Sequence, residues 1–409
     1  MRFPGFEGEW EIVKLKDCSV SLDYGMNAAA TLYDGENKYI RITDINERSS
    51  EYISNPPVSP EGDLTDHYLV QENDILLART GASTGKSYLY NVEDGKLYFA
   101  GFLIRARIKE VYNARFIFAQ TQIETYKRWV KLMSMRSGQP GINSQEYGSY
   151  EIAIPSRKEQ DRIASFLELI DRRIATQNKI IEKLETLIKG IREGLLNKQL
   201  RFLGASDDWK KYKVSDFLEF FPTNSLSWEQ LDYYNGGTLY NLHYGLIHQG
   251  APTLIDTDSY TLPKIKLSSN PSNFTLCENG DIVFADASED TIDVAKAVEI
   301  INCGDKKIVC GLHTIHGRDK LNLTVKGFKG YLFRSRIFRH QVRQLAQGTK
   351  VFSVSIRTFN ECYVDIPSMK EQLKISAALT KIDQRIDCEK KLLTRYRQQK
   401  GYLLGSLFI

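Results

Sequence analysis

Apolar residues recur at alternating steps of four and three through the middle of the chain. Residues 157–200 contain no proline, and one seam position is polar, at Gln177. The apolar positions are Ile163, Leu167, Ile170, Ile174, Ile181, Leu184, Ile188, Ile191 and Leu195. This is the spacing of the a and d positions of a heptad repeat, so it predicts one long helix with a narrow apolar seam.

The same phase returns at the end of the chain. The seam positions there are Ile375, Leu379, Ile382, Ile386, Leu393, Tyr396, Leu403 and Leu407. The start of each helix is also duplicated, because Ile154–Gln160 recurs as Ile366–Gln372. Residues 154–179 share 13 identities in 26 positions with the segment 212 residues later. The chain is therefore a tandem duplication in which a domain and a long helix alternate.

Two helices with the same seam predict an antiparallel pair. A helix of that length spans about 60 Å and cannot bury a narrow seam alone. Ser156 with Glu159, and Ser368 with Glu371, have the spacing of a capping box at each helix start. The alternative is that each helix packs on its own globular domain, although a globular helix face is usually wider than a strict 4-3 seam.

The segments that precede the helices mix strands with one amphipathic helix each. The pattern predicts strands at 39–45, 74–79, 87–92, 102–108, 281–285 and 307–312, and helices at 114–133 and 329–347. Weaker matches link the two segments, such as Tyr39 with Tyr240 and Gly101 with Gly311. The two domains have thus diverged much further than the helices.

Composition is that of a globular protein of two or three domains, with 409 residues, 42% hydrophobic and 26% charged. No apolar run is long enough to span a membrane. The six cysteines form no close pair, which excludes a disulfide scaffold and favours a reducing cytoplasm. The net charge is +4, but residues 157–201 and 370–409 carry +4 and +5, so the remainder carries −5. Binding of nucleic acid by the domains would depend on local patches.

Basic and aromatic residues alternate in both predicted domain helices, at 126–131 and 331–339. Such stretches suit a phosphate backbone, although a solvated helix face over a core has the same composition. Polar loops at 80–87 and 137–144, and the counterpart of the second at 347–353, carry Gln, Asn and Lys side chains that can contact base edges. Ordinary connecting turns remain the alternative.

Three motifs imitate other sites. Residues 81–87 are one residue short of a P-loop and precede a strand pattern instead of a helix, so nucleotide binding is not expected. Residues 54–58 contain Asn-Pro-Pro but have valine where a base-stacking aromatic would stand, which indicates a turn. Metal ligands by type are Cys303, Cys310, His313 and His316, but their spacing fits no standard zinc module, and buried structural roles are expected. No catalytic constellation is recognisable, which favours a recognition or scaffold protein.

The order of motifs resembles the specificity subunits of type I restriction-modification enzymes over the whole chain. The motifs are Arg2–Phe6 with Glu9 and Trp10, Tyr39–Ile45, Asp74–Gly81, Ser137–Gln139, and the two helix starts Ile154–Gln160 and Ile366–Gln372. The resemblance implies an α+β fold of two similar mixed α/β target recognition domains, separated by two long antiparallel coiled-coil helices with pseudo-two-fold symmetry. The implied domains are 1–155 and 201–367, and the implied spacer helices are 156–200 and 368–409.

The resemblance also implies a function without catalysis in this chain. Each domain would read one half of a split sequence in double-stranded DNA. The paired helices would set the spacing and dock two methyltransferase subunits. Two restriction subunits would join the full complex. This chain would bind no cofactor itself, because S-adenosylmethionine, ATP and Mg²⁺ would bind to the partner subunits. The assembled enzyme would methylate adenine and cleave DNA at the expense of ATP.

Candidate contacts follow from the loops and helices above. The DNA-binding candidates are Arg79, Ser83, Thr84, Lys86, Arg128, Arg136, Ser137, Gln139, Asn143, Asp286, Ser288, Arg336, Lys350 and Ser353. The partner-binding candidates on the helices are Ile163, Leu167, Ile170, Ile174, Ile375, Leu379, Ile382 and Ile386. No catalytic or metal-binding residue is expected. The second domain departs from the first, because residues 286–290, three of which are acidic, stand where the first has Arg79–Ser83.

Two other functions stay open from the residues alone. One is a coiled-coil scaffold whose domains bind protein or glycan. The other is a single-chain methylase or nuclease.

Overall fold

Strands and helices alternate along both copies of the duplication, and the structure, a computed structural model, places them in two units. The described residues are 2–53, 56–135, 140–203, 208–269, 271, 273–290, 293–348 and 350–408. Unit 1 contains residues 1–178 and 391–409, and unit 2 contains residues 179–390. Each unit therefore includes the beginning of one long helix and the end of the other.

The elements of the first copy, in chain order, are β1 (Glu11–Lys14), α1 (Leu15–Cys18), β2 (Ser19–Tyr24), β3 (Ala30–Leu32), β4 (Lys38–Ile40), β5 (Val58–Pro60), β6 (Asp74–Ala78), β7 (Ser87–Leu89), β8 (Leu97–Phe99), β9 (Leu103–Ile108), α2 (Ala114–Gln120), α3 (Glu124–Ser134), α4 (Ser144–Gly148), β10 (Glu151–Ile154) and α5 (Arg157–Leu196).

An antiparallel sheet in the order β2-β9-β6-β7 forms the centre of unit 1. Its strand β6 is buried along its whole length. Because side chains alternate across a strand, Ile75 and Leu77 join the core that contains α2, α3 and the start of α5, while Leu76 and Ala78 join a second core with β4 and β8. Strands β1 and β10 pair with each other and lead directly into α5.

The elements of the second copy are β11 (Lys210–Lys213), α6 (Val214–Phe217), β12 (Leu218–Phe221), β13 (Leu231–Asp232), β14 (Leu239–Leu242), α7 (Tyr244–His248), β15 (Leu254–Asp256), β16 (Lys264–Ile265), β17 (Ile282–Ala285), β18 (Ala287–Ser288), β19 (Ala297–Asn302), β20 (Lys307–Cys310), β21 (Thr314–Asp319), α8 (Lys329–Leu332), α9 (Arg336–Leu345), β22 (Phe352–Ser353), α10 (Ile356–Phe359), β23 (Tyr363–Ile366) and α11 (Met369–Leu407).

The central sheet of unit 2 repeats that of unit 1 and adds one strand. Its order is β12-β21-β17-β19-β15, in which β15 runs parallel to β19. Strand β17 is again buried on both faces. Strands β11 and β23 pair as β1 and β10 do, and lead into α11.

One buried ion pair occurs at the same place in both sheets. The Arg107 guanidinium donates to both carboxylate oxygens of Asp74 at 2.8 and 2.9 Å. Arg318 makes the same two bonds to Asp281 at 2.8 Å each. Burial would raise the pKa of Asp281, but hydrogen bonds from Arg318 and His316 hold it below its ordinary value. Each pair fixes the register of two neighbouring strands, because a buried carboxylate without its arginine is costly.

Backbone hydrogen bonds show that two of the matches expected between the first and second domains are wrong by one residue. The amide of Ala100 donates to Ile40 at 3.0 Å, and the amide of Gly311 donates to Leu242 at 3.0 Å. Gly311 is therefore the counterpart of Ala100, not of Gly101. Tyr39 correspondingly matches Asn241 instead of Tyr240, since Tyr39 directly precedes the acceptor Ile40 and Asn241 directly precedes the acceptor Leu242. In each case the matching residue type stands one position from the true counterpart, and the identity of type produced the wrong alignment.

The two long helices are in contact and run antiparallel within each unit, as the seam predicts. In unit 1 the early seam residues of α5, such as Leu167, pack with Leu403 and Leu407 near the end of α11. In unit 2 Leu195 at the end of α5 packs in one core with Leu379 near the start of α11. Among the described residues, no helix combines the length and apolar content that a membrane crossing requires.

The duplicated helix start is held by an arginine from earlier in the chain. Glu159 is 1% exposed and accepts two bonds from Arg2 at 2.8 and 2.7 Å. Glu371 is 4% exposed and accepts two bonds from Arg201, at 3.2 and 2.8 Å. The predicted capping box is thus only half formed at α5. The Ser156 hydroxyl accepts the Glu159 amide at 3.4 Å, but the Glu159 carboxylate is occupied by Arg2.

The glutamine that follows explains the rest of the motif. The side-chain amide of Gln160 donates to Pro155 at 2.9 Å and its oxygen accepts the amide of Asn113 at 3.0 Å. Gln372 likewise donates to Pro367 at 2.9 Å and accepts the amide of Val325 at 2.8 Å. Each glutamine therefore ties the helix start to a loop of its own domain.

Both predicted domain helices are interrupted at the same place. The helix expected over 114–133 is α2 and α3, and the helix expected over 329–347 is α8 and α9. Ser335 restarts the second helix, since its hydroxyl accepts the amide of Phe338 at 3.4 Å. Periodicity missed the break because the apolar phase continues across it. The strand expected over 39–45 also ends early, at Ile40, because Asp44 folds back to accept the Arg41 amide at 2.9 Å.

We expect Leu167→Ala and Leu379→Ala each to lower the free energy of unfolding by about 3 kcal/mol, because each leaves a cavity in a helix seam. These leucines are 3% and 1% exposed. The loss should fall in unit 1 for the first variant and in unit 2 for the second. Urea unfolding gives the magnitude, and hydrogen exchange assigns the unit.

Leu169→Ala and Leu373→Ala are matched controls on the same helices, since these side chains are 62% and 58% exposed. Each should change stability by less than about 0.5 kcal/mol. Equal losses for seam and control leucines would contradict the assignment of the seam.

Candidate nucleic-acid interface

Two of the predicted polar loops lie side by side in unit 1. The amide of Gly81 donates to Pro140 at 2.9 Å, and the amide of Ile142 donates to Arg79 at 2.9 Å. The loop between β6 and β7 is thereby joined to the segment that precedes α4. Sequence proximity does not bring these residues together, because about 60 residues of chain separate them.

Helix α3 packs directly against this loop. Gly85 has a φ of +89°, and a Cβ there would stand 2.5 Å from Cγ1 of Val130. The Tyr126 hydroxyl donates to the carbonyl of Gly85 at 3.1 Å, and the Tyr147 hydroxyl donates to Ala78 at 2.6 Å. Burial raises the pKa of Tyr126, so the phenol is a firm donor. The loop therefore packs on two tyrosines and on helix α3.

Arg79 lies at the edge of the loop and is half-buried. Its guanidinium stands 4.8 Å from the centroid of the Tyr24 ring and donates to Gly101 at 3.3 Å. The Tyr24 hydroxyl in turn accepts the amide of Ser144 at 3.1 Å. A cation–π contact with the ring favours one position of the planar guanidinium. Such a plane suits recognition of a base edge or a phosphate.

The other candidates in this loop differ in what they can offer. The Thr84 hydroxyl donates to Gly81 at 2.8 Å and so supports the turn. Ser83 is half-buried, and its carbonyl accepts the amide of Lys86 at 3.0 Å. The Lys86 ammonium makes no hydrogen bond or ion pair with the residues that the structure describes. Lys86 is therefore the cation of the loop that can contact a ligand without losing an internal partner.

Arg128 and Asn143 have other surroundings. Arg128 lies two residues from Val130 on α3, about 160° around the helix, so it points away from the loop. Its nearest anion is Glu124 at 4.0 Å. The Asn143 side-chain oxygen caps α4 by accepting the amide of Glu146 at 2.9 Å. Arg136, Ser137 and Gln139 lie outside the described residues.

Unit 2 repeats the backbone of this loop with different side chains. In unit 1, Ala78 donates to Lys86 at 2.8 Å and Gly85 donates to Ala78 at 3.0 Å. In unit 2, Ala285 donates to Lys296 at 2.9 Å and Ala295 donates to Ala285 at 3.0 Å. Ala295 also has a positive φ, of 55°. The loop is three residues longer in unit 2, but its two ends are held in the same way.

Asp286 occupies the position of Arg79. The amide of Val354 donates to Asp286 at 2.8 Å, as that of Ile142 does to Arg79. The Asp286 carboxylate lies 3.1 Å from Nδ1 of His313, and burial raises its pKa despite that neighbour. The basic side chain of the first domain is thus replaced by a hydrogen-bond acceptor in the second, although the backbone at the two positions is held in the same way.

The remaining candidates of unit 2 are divided between this loop and other places. Ser288 is 8% exposed and accepts the amide of Asp290 at 3.3 Å, so its hydroxyl is not at the surface. Ser353 is exposed and lies opposite Ala287 in the pairing of β18 with β22. Lys350 is exposed near the turn before it. Arg336 instead begins α9, where its amide bonds to Glu193 of α5 at 3.1 Å.

Lys296 is a candidate that the sequence did not reveal. It is the counterpart of Lys86, and its ammonium lies 3.2 Å from Asp293 within the same loop. The difference in loop length hides the match, because no motif flanks it. Arg334, in contrast, is internal, since it donates to Ala297 at 2.6 Å and burial lowers its pKa to about 10. The basic and aromatic stretch 331–339 is therefore partly core.

Comparison with known proteins places this paired arrangement in a family. A family model described as the type I restriction modification DNA specificity domain matches residues 7–186 and again residues 206–395. The chain belongs to the family of type I restriction-modification specificity subunits.

Relatives cover nearly all of this chain. The type I restriction enzyme MjaVIII specificity subunit of Methanocaldococcus jannaschii is 22% identical over 426 residues, covering 98% of this chain and 92% of the relative. The crystal structure of the S subunit from M. genitalium has a TM-score of 0.59 at 15% identity and covers 100% of this chain and 97% of its own. A structure on the assembly and conformational transition of the type I system has a TM-score of 0.56 at 13% identity, with coverage of 98% and 97%.

The helix residues that were predicted to bind partner subunits are largely buried within this specificity subunit. Ile163, Leu167, Ile170, Ile375 and Leu379 are at most 8% exposed. Ile174, Ile382 and Ile386 are half-buried beside them. The apolar seam is buried because it packs the two helices against each other and against the domains. The fully buried seam residues are therefore not at the surface, and partner binding by these helices stays a prediction.

Exposed apolar residues on α5 offer such a surface. Leu169 in unit 1 and Leu187 in unit 2 are each 62% exposed. In unit 1, Leu169 lines a groove with Phe166, Arg173 and Tyr396. In unit 2, Leu187 lies beside Lys183 and Thr186 along a shallow depression. Each leucine lies beside a depression of the helix surface, which leaves its side chain accessible to another protein.

We expect Gly85→Ala to lower the free energy of unfolding of unit 1 by about 2 kcal/mol, because the new methyl group collides with Val130 at a positive φ. Gly81→Ala is the matched control, since Gly81 has a φ of +66° but open space around its Cβ position. It should cost only about 1 kcal/mol, from backbone strain alone. Urea unfolding of both variants measures the difference, and equal costs would exclude contact between the loop and α3.

Proposed function

We propose that this specificity subunit reads a split DNA sequence, with one recognition loop in each unit, and that it performs no chemistry itself. The proposed boundaries are target recognition domains at 1–155 and 201–367 and spacer helices at 156–200 and 368–409. The observation that carries the proposal is the pair of loops held by the same backbone bonds but carrying different side chains. Two different half-sites require two loops of the same backbone arrangement that present different side chains to the DNA.

The side chains of the two loops suit different bases. Arg79 in unit 1 is a planar donor, the type that pairs with guanine O6 and N7. Asp286 in unit 2 is an acceptor, the type that pairs with the exocyclic amine of cytosine. Lys86 and Lys296 are equivalent cations at the ends of the two loops, and we assign them to phosphates. Phosphate contacts give affinity and register, whereas the base contacts give sequence.

Two further parts complete the proposal. The pair α5 and α11 sets the separation of the half-sites and docks two methyltransferase subunits through exposed residues such as Leu169 and Leu187. S-adenosylmethionine binds to those subunits, and ATP and Mg²⁺ serve two restriction subunits in the full complex. The similar structure that concerns assembly of a type I restriction-modification system supports such a complex here.

We expect Lys86→Ala and Lys296→Ala each to weaken binding of target DNA in the presence of the methyltransferase subunits. Loss of one phosphate contact should reduce the slope of log affinity against log salt by about 0.9, without changing the preferred sequence. Fluorescence anisotropy over a salt series measures both quantities.

Arg128→Ala is a matched control, because it removes a charge from the same domain on the face of α3 that points away from the loop. It should leave the affinity and the slope unchanged. If neither lysine variant alters DNA binding, the loops are not the interface. If the assembled protein binds no DNA and instead binds a protein or glycan independently of salt, the scaffold function replaces this one.

We expect Leu187→Asp to weaken association with the methyltransferase subunit by at least about tenfold, since about 1.4 kcal/mol of contact energy would be lost with one buried leucine. Val92→Asp is the control, because Val92 is 79% exposed but belongs to a short turn of the first domain and not to α5 or α11. Analytical size-exclusion chromatography and titration calorimetry measure the association. Unchanged affinity for Leu187→Asp would remove this surface.

A further inference from the structure

Three potential metal ligands meet inside unit 2, apart from the recognition loop. The sulfurs of Cys277 and Cys310 lie 3.4 Å apart. With a ring nitrogen of His316, the ligand atoms all lie within 4.8 Å of one another. The three residues are 7%, 1% and 0% exposed. The sequence grouped Cys310 and His316 with Cys303 and His313, but His313 contacts Asp286, and Cys277 instead lies with Cys310 and His316.

His316 is oriented as a metal-bound histidine is oriented. Its Nε2 lies 2.7 Å from the carboxylate of Asp281, which Arg318 holds by two further bonds. Its Nδ1 is buried and makes no hydrogen bond with the described residues. A carboxylate on one ring nitrogen fixes the tautomer and leaves the other nitrogen to a metal. A buried nitrogen without a partner is otherwise unfavourable.

The same three places in unit 1 hold unrelated side chains. Cys277 donates its amide to Ile308 at 2.8 Å, as Val70 does to Leu97 at 2.8 Å. Cys310 accepts an amide in the way Phe99 does, and His316 has the strand position of Arg105.

In unit 1 these residues form an apolar and cation–π cluster, in which the Arg105 guanidinium lies 5.0 Å from the Phe99 ring centroid. The three positions thus differ together, and in unit 2 all three carry residues that bind soft metals.

We propose that Cys277, Cys310 and His316 bind a structural Zn²⁺ ion, with Cys303 as the fourth ligand. Tetrahedral zinc with Zn–S bonds of about 2.3 Å separates two sulfurs by about 3.8 Å, close to the distance found here. Cys303 belongs to the same buried cluster as the other two cysteines, and its sulfur lies 3.6 Å from the carbonyl oxygen of Cys277. Cys303 is therefore the cysteine of this cluster that we assign as the fourth ligand, and its substitution below tests that assignment.

Such an ion would brace the part of the domain that carries Asp286. Cys310 ends β20 and His316 lies on β21, and the turn between them contains His313 with a φ of +53°. His313 contacts Asp286. Zinc would fix both ends of this turn, and this role does not depend on what the loop binds.

Full-length protein, prepared with Zn²⁺ and a reductant and then gel-filtered, should retain one zinc ion per chain by mass spectrometry of the metal. Replacement by Co²⁺ should give the intense visible bands of a tetrahedral thiolate site and sulfur-to-cobalt charge transfer. Zinc should also raise the melting temperature of the chain. These readouts need no variant, so a variant that fails to fold cannot obscure them.

Substitutions then identify the ligands. Cys277→Val and His316→Arg, which insert the residues of unit 1, should abolish stoichiometric zinc, while Cys303→Ser should keep Co²⁺ but lower the charge-transfer intensity. Cys362→Ala removes a buried cysteine of another core and should retain the full zinc content. Folded wild-type protein without zinc, unaltered zinc in Cys277→Val, or a Cys277–Cys310 disulfide in place of metal would each overturn the proposal.

Discussion

Everything in this fold depends on the fact that neither long helix can bury its seam alone. Leu167 and Leu379 are almost fully buried because each meets the other helix and its own domain. A unit is therefore complete only when it contains the beginning of one helix and the end of the other. This requirement explains why unit 1 is built from both ends of the chain.

The duplication kept the parts that satisfy this requirement and changed the rest. The arginine that holds the helix start, at Arg2 and Arg201, and the buried strand pairs Asp74–Arg107 and Asp281–Arg318 are present in both copies. The loops after β6 and β17 retain only their backbone bonds. A common scaffold with variable loops allows two copies to recognise different ligands without changing how the chain folds.

Sequence alone predicted the helices well because a seam is a periodic signal over 40 residues. It also predicted that the loop at Arg79 and the segment before α4 contact DNA, which stays a prediction, but it did not predict that the two segments are joined by hydrogen bonds. It could not find Lys296, because the unit 2 loop is longer and carries no motif around it.

It also placed Ile163 and its seam neighbours at a partner surface, although an a/d seam in a chain with two such helices is used up internally. The breaks between α2 and α3 and between α8 and α9 were missed, since local caps such as Ser335 leave the apolar phase unchanged. Cys277 was missed because a ligand set formed by strand pairing has no characteristic spacing in sequence.

The central claim is that this chain chooses the sequence that its complex modifies. Long-read sequencing of methylated bases in the host genome, with this gene intact and deleted, tests it most directly. The account predicts the loss on deletion of one methyladenine motif, made of two half-sites around a fixed unspecified spacer, and its restoration by the intact gene. If the intact strain expresses the chain and its methyltransferase partner and every methylated motif survives deletion, the account is contradicted.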